Sequence, residues 1–339
     1  MRFVIDKTTF QDVLQAAINA VPNKSTIQIL NNFALRLEGN FLEVSATDLN
    51  LGIRAQVEVQ GERDGSVVIN ARKLLEIVKS LVDPSITNVT MDVQDFLATI
   101  QWSERGKASI TGFDASDFPP FPEVSEGEAL NFAASELAFL AEKTAFACST
   151  DTIRLNLNGV YLEAKDGVIS MIATDGHRLG RAVIEQEGAN LTNGAIIPKK
   201  ALQLILHMVK PDATVEVRTS ATHILFSTGT TQVISKLFEG PYPNYRAVIP
   251  QNFERTVQLN TTEFQNKMRS VLAMANARTH KVRLQIDGNT MELSASDPDV
   301  GGDSREAIAV THNGEGNFSI GFDGRYLSFL LMPTHLNDD

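Results

Sequence analysis

Asp175 and His177, an acid and an imidazole two residues apart, lie in the run Ala-Thr-Asp-Gly-His-Arg-Leu-Gly from Ala173 to Gly180. Such a pair could serve a hydrolase, with the imidazole as base, but only if a nucleophile accompanied it. No serine or cysteine motif of that kind is present, and the six histidines of the chain do not show zinc-ligand spacing. Cys148 is the only cysteine, which excludes an intrachain disulfide and a cysteine-rich zinc site and suits a reducing compartment. The expectation is a protein without catalytic residues, metal or cofactor. A hydrolase built on Asp175 and His177 is an alternative that would lose its turnover when either is replaced.

A second chemistry-bearing set is cationic. Lys24, Arg72, Lys73, Lys143, Lys199, Lys200, Lys267 and Arg325 fall near the starts of candidate helices or in the loop after the first one. Any one of them suits an ordinary solvated helix face. Their recurrence at equivalent places suits diffuse contact with phosphates, which carries no base readout. The chain as a whole has a formal charge of −11, so it is not an indiscriminately basic nucleic-acid binder. A total does not place charges, however, and an acidic shell with a basic lining gives the same sum.

The elements that must position these residues come in three copies. Phe33–Asp48, Val160–Asp175 and Val282–Asp297 each read as a hairpin with alternating apolar positions, a central Gly-Asn or Asp-Gly turn, and a closing Thr-Asp or Ser-Asp. The closing acids are 127 and 122 residues apart, a domain-sized period. An amphipathic helix precedes each hairpin, with stripes Phe10, Val13, Leu14, Ala17 and Ile18, then Leu137, Leu140, Ala141 and Thr144, then Phe264, Met268, Val271, Leu272 and Ala275. Ser135 and Thr262 are candidate caps for the second and third. A second helix begins near Arg72-Lys73, Lys199-Lys200 and Arg325, with apolar stripes Leu74, Leu75, Val78, Leu81 and Val82 in copy one and Leu202, Ile205, Leu206 and Val209 in copy two.

Proline joints at Phe118–Pro122 and Pro241–Tyr245 close the first two copies, because such prolines cannot sit in central strands. The expected domains are therefore 1–125, 126–252 and 253–339. With 43% hydrophobic residues there is enough apolar material for packed cores. No stretch approaches the length of a membrane span, so a cytoplasmic protein without membrane contact is expected.

Three such domains, together with Ala173–Gly180, Glu239–Pro250 and the terminal Leu330–Leu336 (Leu-Leu-Met-Pro-Thr-His-Leu), resemble the bacterial sliding clamps, the beta subunits of the replicative DNA polymerase. The resemblance covers the whole chain. It implies an α+β fold of three homologous clamp domains, each with two helices packed on antiparallel sheets, forming half of a closed ring. The implied function is a processivity factor that encircles double-stranded DNA without sequence specificity, as a homodimer, and tethers polymerases and the clamp loader. By the same resemblance the eight cations face DNA. Leu157, Thr174, Gly176, His177, Arg178, Leu179, Pro243, Leu330, Leu331, Met332 and Pro333 would form the cleft for clamp-binding peptides, and Ala108, Ile110, Val271 and Leu272 the dimer interface.

The chain departs from that pattern in three places. Ala247 stands where the family often has a basic residue, and Ala108 where it can place a large apolar one. After its second-helix cation, copy three runs only from Arg325 to Asp339, while copies one and two run about fifty residues each. Roughly thirty residues are thus missing between Tyr326 and Leu330. A domain without them would expose a sheet edge and an incomplete core. The expectation is that the complete protein carries them, which an intact mass of 37.1 kDa would refute. A monomeric three-domain adaptor without a DNA role is the other alternative.

Overall fold

The computed structural model describes residues 1–124, 127–151, 153–314 and 316–330, with 328–330 as backbone alone. Two compact units result, Met1–Pro241 and the chain from Tyr242 onward. The first holds two of the repeats, and the second holds the third.

In the first repeat, strand Arg2–Asp6 leads into α1 (Lys7–Ala17), followed by the hairpin Asn32–Glu38/Phe41–Thr47, strands Leu51–Glu58 and Gly65–Asn70, α2 (Ala71–Ser80), and strands Asn88–Gln94, Leu97–Gln101 and Lys107–Thr111. The second repeats this order: Glu128–Ala133, α3 (Ala134–Glu142), the hairpin Gly159–Lys165/Val168–Thr174, Leu179–Glu185, Ala195–Pro198, α4 (Lys199–Met208), and Thr214–Thr219, His223–Ser227 and Thr231–Lys236. The third has Val257–Leu259, α5 (Thr261–Leu272), the hairpin Lys281–Asp287/Thr290–Asp297, Gly302–His312, Phe318–Asp323 and α6 (Gly324–Leu330). Backbone is continuous through α6. The described residues end with α6, whereas three strands follow α2 and three follow α4.

The hairpins turn where the sequence places glycine. Asp166 and Gly167 both have positive φ, as Gly39 and Gly288 do, and two such residues match the right-handed twist of the flanking strands. The helices bury the expected stripes: Phe10, Val13, Leu14 and Ala17 on α1, Leu137, Leu140 and Ala141 on α3, Phe264, Met268 and Val271 on α5. Val82 departs from its stripe at 83% exposed. Its helix has ended at Ser80, because Pro84 disfavours helical backbone just before it. The caps differ as well. Asn260, one turn ahead of Glu263, accepts from the Glu263 amide at 2.9 Å in place of the expected Thr262. Ala133 occupies the cap of α3, and the Glu136 carboxylate, rather than Ser135, takes its N–H.

All pairings in the four sheets are antiparallel. One sheet has eight strands and runs through both repeats of the first unit, since Thr231–Lys236, the last strand of repeat two, pairs with Leu51–Glu58 of repeat one. Over that joint lies Phe121 of the proline linker. A Cβ on Gly52 would stand 2.8 Å from its ring, so a larger residue there would have to displace the ring. The Arg54 guanidinium stacks over the same ring, 4.6 Å from its centroid. One hydrophobic core extends from Phe3 and Phe10 through to Phe226, and the third repeat has its own smaller core around Phe264, Met268, Val282 and Leu293.

Candidate functional site

The Thr174–Leu179 turn is built by its own polar side chains. Thr174 Oγ1 donates to the Arg178 carbonyl at 2.7 Å and accepts from the Gly176 amide at 3.1 Å. Asp175 Oδ1 accepts from the His177 and Arg178 amides at 2.9 and 3.0 Å, and Oδ2 accepts from Arg178 Nε at 3.0 Å. Burial opposes the charge on Asp175, but the two amides and the guanidinium outweigh it and hold the carboxyl below the usual carboxylate range. The turn is thereby stabilised above the pKa of the unfolded side chain, and that contribution is lost as pH falls through the lower folded value.

Repeat one carries the same turn. Thr47 Oγ1 donates to Leu51 O and accepts from Leu49 N, while Asp48 Oδ1 accepts from Asn50 N and Leu51 N. Leu49, at φ +75°, stands where Gly176 has φ +91°. A Thr-Asp pair recurring with these bonds is a turn-forming device, and it leaves Asp175 engaged with backbone rather than oriented on the exposed His177 imidazole.

Around this turn the second repeat shows an apolar face. Leu179 is half-buried, Leu157 is buried, and Ile153 and Leu155 beside it are 87% and 52% exposed. The signal for these last two was the Ile-Arg-Leu-Asn-Leu run, Ile153–Leu157, which the repeat pattern does not absorb. Arg154, held by Asp151 at 3.3 Å, reaches within 3.8 Å of where a Cβ on Gly176 would be. Gly180 allows strand Leu179–Glu185 to meet the end of α3, because a Cβ there would lie 2.7 Å from the Lys143 carbonyl oxygen. Gly180→Ala should therefore lower stability by about 1–3 kcal/mol, read as a lower urea midpoint with an unchanged slope.

Cys148 lies beneath this face, 5% exposed. Burial pushes its thiol up to about 11, with Lys199 and Arg178 only partly opposing. Since the thiolate is the reactive form, a disulfide reagent at pH 8 should modify the folded protein far more slowly than the urea-unfolded chain. The same raised value leaves stability undiminished below the unfolded thiol's pKa and erodes it as pH climbs toward 11.

Five of the eight cations are engaged. Arg72 donates to Pro22 O and Asn23 Oδ1, both at 3.2 Å, which fastens the loop carrying Lys24 to the start of α2. Lys73 pairs with Glu76, Lys200 with Asp48 of the other repeat, and Arg325 with Asp323. Lys267, expected to face DNA, is turned onto Glu263 and the Ala307 carbonyl. Lys24, Lys143 and Lys199 make no side-chain hydrogen bond or ion pair among the described residues. Pro243 belongs to the second unit. Leu331, Met332 and Pro333 lie outside the described residues, as does the side chain of Leu330.

Three family models for the DNA polymerase III beta subunit match consecutive parts of the chain: the N-terminal domain over residues 1–122, the central domain over 131–244 and the C-terminal domain over 246–331. The chain belongs to the DNA polymerase III beta-subunit family, the sliding clamps. The beta sliding clamp of Synechococcus elongatus is 30% identical over all of this chain and 91% of its own length, and that of Pseudomonas aeruginosa 28% over 98% and 90%. The crystal structure of the Pseudomonas aeruginosa subunit superposes with a TM-score of 0.90 at 27% identity, covering 98% of this chain and 90% of that one, and the Bartonella birtlesii clamp does so at 30% identity, covering 98% and 89%.

Sliding clamps are processivity factors, and this clamp is not an enzyme. Among its described residues no group of three or more His, Cys, Asp or Glu could hold a metal ion, and no helix is long and apolar enough to cross a membrane. Of the clamp's four expected interface residues, Ala108 and Ile110 lie half-buried on Lys107–Thr111, an edge strand of its sheet. On α5, Val271 is wholly buried among Phe264, Met268 and Val282 in the third repeat's own core, whereas Leu272 is half-buried.

Proposed function

We propose that two copies of this clamp close head to tail around duplex DNA, with Lys24, Arg72, Lys143 and Lys199 as its principal phosphate contacts. We further propose that the apolar face around Leu157, Leu179, Ile153 and Leu155 receives extended peptides from polymerases and the clamp loader. The joint between repeats one and two carries the dimer part of this reading. There, the last strand of one repeat completes the sheet of the repeat before it. Repeat one has the same last strand, Lys107–Thr111, with an open edge, and repeat three has the receiving strand, Gly302–His312, which Val257–Leu259 covers only from Val310 to His312. Edge strands of this kind are templates for pairing, and a donor at one end with an acceptor at the other makes a heterologous contact that can close into a ring.

The register follows from the repeats. Ile110 pairs with Ala98 as Ser235 pairs with Ile224, and Ile308 pairs with Met291 as Val57 pairs with Leu42. Since Gln232 faces Arg54 and Ile234 faces Gly52 in the internal joint, Lys107 would face Arg305 and Ser109 would face Asp303 across the subunit seam. Light scattering should give twice the mass of one chain at micromolar concentration, and a single-chain mass there would remove the ring. For the peptide face, Leu179→Ala should weaken a glutamine-leucine-aliphatic type peptide about tenfold, or roughly 1.4 kcal/mol, with the dimer intact. Unchanged affinity by calorimetry would refute that assignment. The third repeat would end like the others if the complete protein has about thirty residues more after Tyr326, and an intact mass decides this.

A further inference from the structure

The solvent face of the third repeat's sheet holds a concavity of about 650 Å³, lined by none of the residues discussed for DNA and peptides. Its floor is set by register. Arg283 pairs with Ser294, which pairs with Arg305, so a serine is flanked by two arginines on three adjacent strands. One step along, Ser296 lies beside Asp303, and Lys281 stands two residues before Arg283 on the same face. The Asn276–Thr279 and Pro298–Asp299 loops form the rim, adding Arg278. Four cations thus meet two carboxylates, in a chain whose overall charge is −11.

Both carboxylates are occupied: Asp303 pairs with Arg305 at 3.3 Å, and Asp299 accepts from Asn276 Nδ2 at 3.2 Å. Arg283, which lines the concavity, hydrogen-bonds through Nε to Ser319 Oγ at 2.7 Å, and among the described residues its other guanidinium nitrogens make no hydrogen bond or ion pair. Lys281 and Arg278 make no side-chain hydrogen bond or ion pair among the described residues. Two strand spacings separate the arginine backbones by ~10 Å, and two residues separate the Arg283 and Lys281 positions by ~7 Å. Cations and hydroxyls at that spacing match two adjacent phosphate groups better than one, and guanidinium forks suit phosphate oxygens. Side chains stand perpendicular to the sheet, so pairing of the Gly302–Ile308 edge with another strand leaves the concavity open.

We propose that this basin binds a diphosphate group, with Arg283, Lys281 and Arg305 as its cations and Ser294 and Ser296 as neutral donors. The chemistry recognised is two adjacent phosphates, which a free diphosphate supplies as an anhydride and a nucleic-acid strand as successive phosphodiesters. Inorganic pyrophosphate is the probe, titrated by calorimetry into the full chain at low ionic strength. One saturable site per chain is expected, with affinity reduced at least tenfold by the Lys281→Gln/Arg283→Gln double substitution and equally by Ser294→Asp, while Lys165→Gln on the second repeat changes nothing. Monophosphate should bind at least tenfold more weakly. A short single-stranded oligonucleotide that pyrophosphate displaces, and that the same substitutions abolish, would assign the nucleic-acid source; pyrophosphate binding without such competition would assign the free one. No saturable pyrophosphate binding, or binding that the double substitution and Ser294→Asp leave intact in folded protein, overturns the proposal.

Discussion

On a nicked circular duplex the loaded clamp should stay associated for as long as the circle is intact, and a single cut should release it. Open electrostatic contact cannot do this. At a non-specific affinity of roughly 10⁻⁴ to 10⁻⁶ M and ordinary association rates of about 10⁵ to 10⁷ M⁻¹s⁻¹, a bound protein leaves within tens of seconds at most. Retention for many minutes therefore needs a closed ring, and gel filtration of loaded circles before and after cutting measures it directly. Equal retention on linear DNA with free ends would count against encirclement. Direct association should behave in the opposite way. Arg72 and Lys199 sit at the starts of the equivalent helices α2 and α4 and Lys24 in the loop after α1, and replacing all three by alanine should reduce the salt dependence of binding by about 0.9 in slope for each phosphate that is no longer neutralised.

Arg305→Glu should tighten the dimer. In the register carried over from the Thr231–Lys236/Leu51–Glu58 joint, Arg305 is opposite Lys107, and like charges directly opposite in a sheet are unfavourable. Arg305 is already partly neutralised by Asp303, and both are largely exposed, so the repulsion is modest. Reversing it should contribute about 1 kcal/mol at each seam. A ring of two chains has two identical seams, which gives roughly 2 kcal/mol, or about a thirtyfold lower dissociation constant. Sedimentation equilibrium would measure the change. Lys107→Glu should have a similar effect alone, while Lys107→Glu combined with Arg305→Glu should return the dimer to near its starting affinity. A double variant as tight as the singles would rule out this register.

Much of the local structure was legible from residue types. Asp166-Gly167 and Gly288 supply the positive φ that hairpins require, and a 3.6-residue apolar period requires a buried face on α1, α3 and α5. The Thr-Asp closing pairs encode a turn through bonds to amides two and three residues away, so they recur as Thr47-Asp48 and Thr174-Asp175. Even the failure at Val82 has a local cause in Pro84. These features depend on neighbours within one turn or one hairpin, and for them the amino-acid sequence by itself was sufficient.

The tertiary structure decided which edges meet and which charges remain free. Thr231–Lys236 pairs with Leu51–Glu58 through backbone groups that every residue shares, so no side-chain pattern announces the joint. Lys200 looks like Lys199 in sequence, yet it reaches Asp48 across 152 positions while Lys199 makes no such pair. Lys267 and Val271 share one helix with Leu272, but the folded sheet draws Lys267 onto Ala307 and encloses Val271. The basin at Arg283 and Arg305 likewise arises only when three strands set them on either side of Ser294. Local preference determines what each segment becomes, whereas pairing between distant segments is selected by the packing of the whole chain, and the subunit seam and the basin proposed here depend on such pairings.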